Sequence, residues 1–249
     1  RRVAELRDER LSDDKGALEA YAKLLPLTPG DTDARQRFLE IGKRTGDHEK
    51  VADVLAKAAE AASAPQPRAE ILRDLARVCE AELHDTARAE RVYRQVLDLD
   101  PDDATLALPA GRSLARIYAA AGKDSDLAQM LKVQVRLEDD VQVRRDLLGQ
   151  LGELCEQKLD DPRGAIAAWK QRLDDDPGDE LAMEALDRLY ERTHEWRSLV
   201  DVLRMRERAT SDGDTAKDEL HRLAGLFDVE DPHDARMDDV ASHRRLAPA

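Results

Sequence analysis

The chain has 249 residues, 38% of them charged and only 3% aromatic, with a formal net charge of −14. Few large anchors are available for one thick core, so stability must come from many small contacts spread along the chain. The acidity argues against nucleic acid as a partner, because such binders normally present a basic face on a basic background. The absence of any run of 18 apolar residues excludes a membrane-spanning helix.

Alanine, leucine, arginine, aspartate and glutamate dominate, and strand formers never cluster with period two, so helices are expected throughout. The opening "RRVAELRDER" already reads as helix interior, without a leading Met or signal peptide, and the chain is expected to be a piece of a longer protein.

In chain order, the first expected helix pair occupies residues 1–30, with Val3-Ala4 in its first helix. Its second helix lies in "SDDKGALEAYAKLLPLTPGD", where Ala17, Tyr21 and Leu25 fall at i, i+4, i+8 on one face and Pro29 ends the run. The second pair, 31–65, is marked by Phe38, Gly42, Val51 and Leu55. The third, 66–102, returns to the first pattern with Leu75-Ala76, Ala89, Tyr93, Leu97 and Pro101. The fourth, 103–140, carries Leu114, Tyr118, Leu127 and Leu131, and the connection into it is four residues longer, around "ATLALPAG". The fifth, 141–178, has Leu151-Gly152, Ala165, Trp169, Leu173 and Pro177. The sixth, 179–212, has Leu186, Tyr190, Leu199 and Leu203, and a seventh, 213–249, has Leu223-Ala224, Phe227, Val240 and Pro248.

Ala17, Ala89 and Ala165 are 72 and 76 residues apart, and the intervening pairs keep their own spacing of 4, 9, 4, so the larger unit is two helix pairs. The local chemistry agrees. Asp161 before Pro162 is an N-cap followed by a proline at the first helical position. Pro177 stops the helix by disfavouring helical geometry in the residue before it, and Asp176 or Asp179 caps the next start. A lone pair cannot bury its apolar stripe, so neighbours must stack. "SAPQPR" (63–68), "EDDVQ" (138–142) and "SDGDTAKD" (211–218) read as loops between pairs of one array spanning 1–249.

A Leu/small pair, an Ala and aromatic four apart, and a closing Pro, recurring at about 34 residues, resemble the tetratricopeptide repeat. "LGELC…AIAAW…DDDP" (Leu151–Pro177) is the nearest copy. Cys79 and Cys155 stand where the family usually has tyrosine, and the even copies carry Val51, Leu127 or Leu199 in place of the alanine. The resemblance implies an all-α, α-α superhelix: a right-handed solenoid of antiparallel helix pairs, with about seven degenerate repeats.

It further implies that the first helix of each pair lines a concave face. The positions that point there are Arg73 and Arg77, Arg112 and Arg116, and Glu184, Arg188 and Arg192, while Glu5, Asp8, Glu40, Glu153, Glu156 and Asp228 put acids at the flanks. Gathered on one face, these arginines would seat a carboxylate-rich or phosphorylated peptide. The other reading is ion pairing with Asp74, Glu80 and Asp187 on a solvated face. The family's best-known pocket, a clamp for a terminal carboxylate, uses lysines and asparagines. Asparagine is absent here, so that clamp is not reproduced and chaperone tails are not expected as ligands.

Nothing else points to chemistry. Cys79 and Cys155 are expected to be small buried hydrophobes, too far apart for a disulfide. His48, His84 and His194 fall at turns, His221, His233 and His243 in the last pair, and none has a metal-ligand spacing. "LDLDPDD" (Leu97–Asp103) and "LDDDPGDE" (Leu173–Glu180) look like calcium loops but lack the glycine and the bidentate glutamate. No nucleophile elbow or phosphate loop occurs. The expected function is a non-catalytic scaffold that binds a protein or peptide, without metal, cofactor, nucleic acid or membrane insertion. The alternative is a regulatory segment of a larger enzyme or transcription regulator.

Overall fold

The structure is a computed structural model that describes residues 1–209 together with Arg222 and Gly225. Among these residues it is all-α. The helices are α1 (Arg2–Glu9), α2 (Asp14–Leu24), α3 (Thr32–Thr45), α4 (His48–Ala61), α5 (Pro65–Ala81), α6 (Thr86–Leu99), α7 (Ala104–Ala121), α8 (Asp124–Leu137), α9 (Val141–Gln157), α10 (Pro162–Asp175), α11 (Glu180–Thr193) and α12 (Trp196–Ala209). The expected seventh pair, with its three histidines and Asp228, lies outside the described residues.

The chain divides into two compact units, Arg1–Asp139 and Asp140–Ala249, the division falling within the "EDDVQ" stretch. Within each unit every described helix packs on its neighbour in the chain, and in the first unit α5 also meets α7. Each unit is thus a stack of helix hairpins of the solenoid class.

The turn within each odd pair is built the same way three times. The backbone N–H of Asp13, Asp85 and Asp161 donates to the carbonyl six residues back (Arg7, Cys79, Cys155) at 2.9, 2.8 and 2.9 Å. Each carboxylate then accepts from the N–H three residues on (Gly16, Arg88, Gly164) at 3.0, 2.8 and 2.9 Å, satisfying one of the donors a helix start leaves open. The residue before each aspartate, Ser12, His84 or Asp160, takes a left-handed φ of 50°, 54° or 47°. Even pairs turn more tightly through one left-handed C-cap: Gly46, Gly122 or His194. This is the physical content of the extra residue in the odd copies.

The stripe residues fill the space between hairpins. Ala17, Ala89 and Ala165 are fully buried, as are Tyr21, Tyr93 and Trp169 four residues later. Their small partners allow close approach: a Cβ on Gly42 would sit 2.4 Å from a Val51 methyl, and one on Gly152 would sit 2.5 Å from the Trp169 indole. Arg172 lies over that indole, its guanidinium 5.7 Å from the ring centroid.

One expectation is corrected. "ATLALPAG" does not lengthen a connection; it is the first half of α7, which runs 18 residues against 14 in α3. Pro109 lies inside that helix and withholds a hydrogen bond from the Thr105 carbonyl. The helix survives because Asp103 caps it, accepting from the Thr105 N–H at 2.8 Å, and because Leu106, Ala107 and Ala110 are buried. Similarly, α5 starts at Pro65, so the last four residues of "SAPQPR" are helix.

Candidate functional site

In the first unit the first helices α1, α3, α5 and α7 are linked by ion pairs. Asp8 of α1 holds Arg44 of α3 at 2.6 Å. Arg35 of α3 reaches Glu70 at 2.7 Å and Asp74 at 2.9 Å on α5, and Glu80 of α5 holds Arg116 of α7 at 2.6 Å. In the second unit Glu156 of α9 holds Arg188 of α11 through two hydrogen bonds of 3.1 and 3.0 Å. Asp179, which caps α11 by accepting from the Ala182 N–H, is a buried node that also receives Arg145 of α9 and Arg172 of α10. Burial pushes the Asp179 carboxyl up, but its hydrogen bonds from Arg145, Arg172 and the Ala182 N–H outweigh that and hold it below the usual carboxylate range. Exposed pairs such as Glu80–Arg116 contribute about 0–1 kcal/mol each and mainly fix where charge sits.

The six arginines singled out from the sequence divide accordingly. Arg116 is held by Glu80, Arg188 by Glu156, and Arg112 by Glu138 at 2.7 Å beyond the end of α8. Arg73, Arg77 and Arg192 make no ion pair among the described residues; Arg73 is half-buried and the other two are exposed. Asp74 and Asp187, the other carboxylates expected to pair with these arginines, are engaged elsewhere: Asp74 by Arg35, and Asp187 by Arg206 and Arg222 at 2.7 Å each. Burial raises the Asp74 carboxyl pKa, and the nearby Arg35, Arg77 and Arg73 only partly offset it. Much of the first-helix face is therefore self-neutralised. Arg73 and Arg77, one turn apart on α5, are two cations in the first unit that make no ion pair among the described residues.

The flanking acids also divide. Asp8 and Glu156 are spent on arginines, and Glu5 pairs with Arg1 at 2.8 Å. Glu40 and Glu153 are exposed and make no ion pair among the described residues. Sequence reasoning missed Arg35, which is 5% exposed and whose partners lie 39 and 35 residues away, and it reads Asp179 as a helix cap without its ion pairs to Arg145, 34 residues away, and Arg172, seven away.

The two calcium-like loops are helix junctions. Asp103 caps α7, Asp176 accepts from the Gly178 N–H at 3.0 Å, and Asp179 caps α11. Among the described residues no group of His, Cys, Asp or Glu is placed to hold a metal ion, and no helix is long and apolar enough to cross a membrane. Cys79 and Cys155 are buried, and desolvation pushes the Cys79 thiol up, away from reactive thiolate.

Comparison with known proteins finds a match to the tetratricopeptide repeat family model over residues 71–107, which run from the body of α5 through α6 into α7. No curated protein matches the chain. Solved structures with a similar helical course include MamA, at 16% identity over 74% of this chain and 95% of that one, with a TM-score of 0.38. The TPR domain of P58(IPK) shares 14% identity over 93% and 66% of the two chains, with a TM-score of 0.34. BtubC from P. vanneervenii shares 14% over 91% and 92%, with a TM-score of 0.43.

Proposed function

We propose that this chain, which matches the tetratricopeptide repeat model over residues 71–107 and repeats that sequence pattern in other pairs, is a non-catalytic scaffold that docks a protein or peptide on its first-helix face. The observation that carries the proposal is the state of α5. Arg73 and Arg77 lie on the first helix of the matched repeat and have no ion-pair partner among the described residues, whereas Arg112, Arg116 and Arg188 are each engaged by a glutamate. Residues four apart on a helix stand about 6 Å from each other, so the pair suits two carboxylates presented side by side. Arginine is well fitted to this, because its planar fork accepts a carboxylate or phosphate in two parallel hydrogen bonds. The excess negative charge of the chain repels a polyanion at long range, so the partner is expected to carry a few well-placed acids rather than a uniform acidic run.

Fluorescence anisotropy with labelled twelve-residue peptides tests this. Peptides carrying Asp or Glu at adjacent positions should bind the full chain, and versions with Asn or Gln at those positions should bind about tenfold more weakly. Equal binding of charged and uncharged peptides overturns the proposal.

A further inference from the structure

The first unit holds a second open feature on this face. Between α1 and α3 is a cleft of about 560 Å³, walled by Glu5 and Glu9 on one side and by Asp33, Arg37 and Glu40 on the other, with Arg1 at its edge. Tyr21 of α2 also lines it. Four carboxylates against two arginines leave the walls anionic. Arg1 is drawn to Glu5, Asp31 and Asp33, and Arg37 to Glu9 and Asp8, which leaves Glu40 exposed and without an ion pair among the described residues.

Acidic walls alone would describe a solvated surface. Tyr21 is a separate observation. It is 2% exposed, and its hydroxyl makes no hydrogen bond among the described residues; that oxygen is not one of the fully buried unpartnered atoms, so it opens to the cleft. A phenol that lines a cleft while the rest of its side chain is packed away normally finds a partner. Burial raises the Tyr21 pKa, with Asp8 and Glu5 adding to it, so the group stays a neutral hydroxyl with free lone pairs among carboxylates.

We infer that this cleft receives a lysine side chain from the partner, its ammonium bound by the Tyr21 hydroxyl oxygen together with Glu40 and the α1 glutamates. The acceptors come from separate side chains on three helices, which suits the three diverging donors of an ammonium better than the flat fork of a guanidinium. A metal ion fits less well, because no three of these carboxylates are grouped to share one. The apolar stem of lysine can lie along the cleft wall while its charge meets the acids. The inference rests on the reading of the first-helix face as the docking face and adds to it: the partner carries a lysine for the α1–α3 cleft as well as acids for α5.

The test is amide chemical-shift titration of the full chain with three capped tripeptides, Gly-Lys-Gly, Gly-norleucine-Gly and Gly-Arg-Gly. The lysine probe should shift amides of residues 5–9, 21 and 33–40, and the norleucine probe, with nearly the same shape and no charge, should bind at least about tenfold more weakly. The arginine probe should bind more weakly than lysine. Tyr21→Phe keeps the ring packed and removes only the hydroxyl, so lysine affinity should fall about three- to tenfold while the fold is unchanged; exposed Glu40→Gln should do the same. Reversing Arg73 and Arg77 to Glu should leave the lysine titration intact, so loss of acidic-peptide binding and loss of this site are separable. Shifts spread over the acidic surface, equal response to norleucine, arginine binding as tightly as lysine, or an unchanged Tyr21→Phe would each overturn the inference.

Discussion

Gly152→Ala tests the packing account, because two known effects oppose each other there. Replacing a glycine inside a helix with alanine normally gains about 1 kcal/mol of helix stability. At position 152 the new methyl would lie 2.5 Å from Cε2 and Nε1 of Trp169. Carbon contacts are comfortable at about 3.5–4.0 Å, so something must move by roughly 1 Å. The indole has little freedom: it is 5% exposed, packed on α9 and covered by Arg172, whose own partner Asp179 is buried. Overpacking of this kind costs about 1–3 kcal/mol, so the net expectation is destabilisation by roughly 1 kcal/mol despite the better helix former. Gly111→Ala in α7 is the control. Its methyl would meet only Gln134 Cγ at 3.7 Å, an ordinary contact, and that substitution should stabilise by about 1 kcal/mol. Urea titrations followed by circular dichroism and tryptophan fluorescence give both values. Adding Trp169→Phe to Gly152→Ala should recover part of the loss, a non-additivity of about 0.5–3 kcal/mol. If Gly152→Ala stabilises as much as Gly111→Ala, the claim that glycine is required for hairpin closure fails.

The three repeated turns should respond alike: Asp13→Ala, Asp85→Ala and Asp161→Ala each lose one cap and should each cost about 1 kcal/mol in urea titrations, and a spread of several-fold would refute their equivalence. Asp179 has a depressed folded-state pKa, so its contribution is fully present above the ordinary carboxylate range near ~4 and is lost as pH falls through the folded value. The urea midpoint of the wild type should therefore drop more between neutral and strongly acid pH than that of Asp179→Asn, which keeps a cap acceptor but cannot titrate; parallel pH profiles would contradict this. Cys79, buried and held as a thiol, should resist a disulfide-exchange reagent in the native protein and react only on unfolding, as read from the released chromophore after mutating Cys155 to Ala.

The helix pairs were legible in the sequence because their determinants are local and periodic. Ala17, Tyr21 and Leu25 announce a face within three turns, and Asp161-Pro162 announces a start within two residues. What was illegible depended on stacking. Arg116 and Arg188 find glutamates 36 and 32 residues away, distances set by how one hairpin rests on the next, and Arg112 finds Glu138 26 residues on, at the far end of its own hairpin. By proximity in the chain Asp74 is one candidate partner for Arg73 and Arg77, but its ion pair is with Arg35 of α3, 39 residues away. "ATLALPAG" reads as a longer connection because four extra residues enter the repeat spacing there, and only the burial of Leu106, Ala107 and Ala110 shows that they extend α7 around Pro109. The α1–α3 cleft escaped notice because Tyr21 reads from the sequence as a core aromatic, and it is one; only its hydroxyl is left over.

The central claim is that docking occurs on the first-helix face through the open cations of α5. Titration calorimetry with an acidic peptide selected as above should compare Arg73→Glu/Arg77→Glu with Lys57→Glu/Arg91→Glu, which makes the same charge change on the second helices α4 and α6. The account expects the α5 variant to lose at least about tenfold in affinity while the α4/α6 variant changes by less than about twofold. Equal losses would assign the effect to net charge, and an unaffected α5 variant would remove the proposed face altogether.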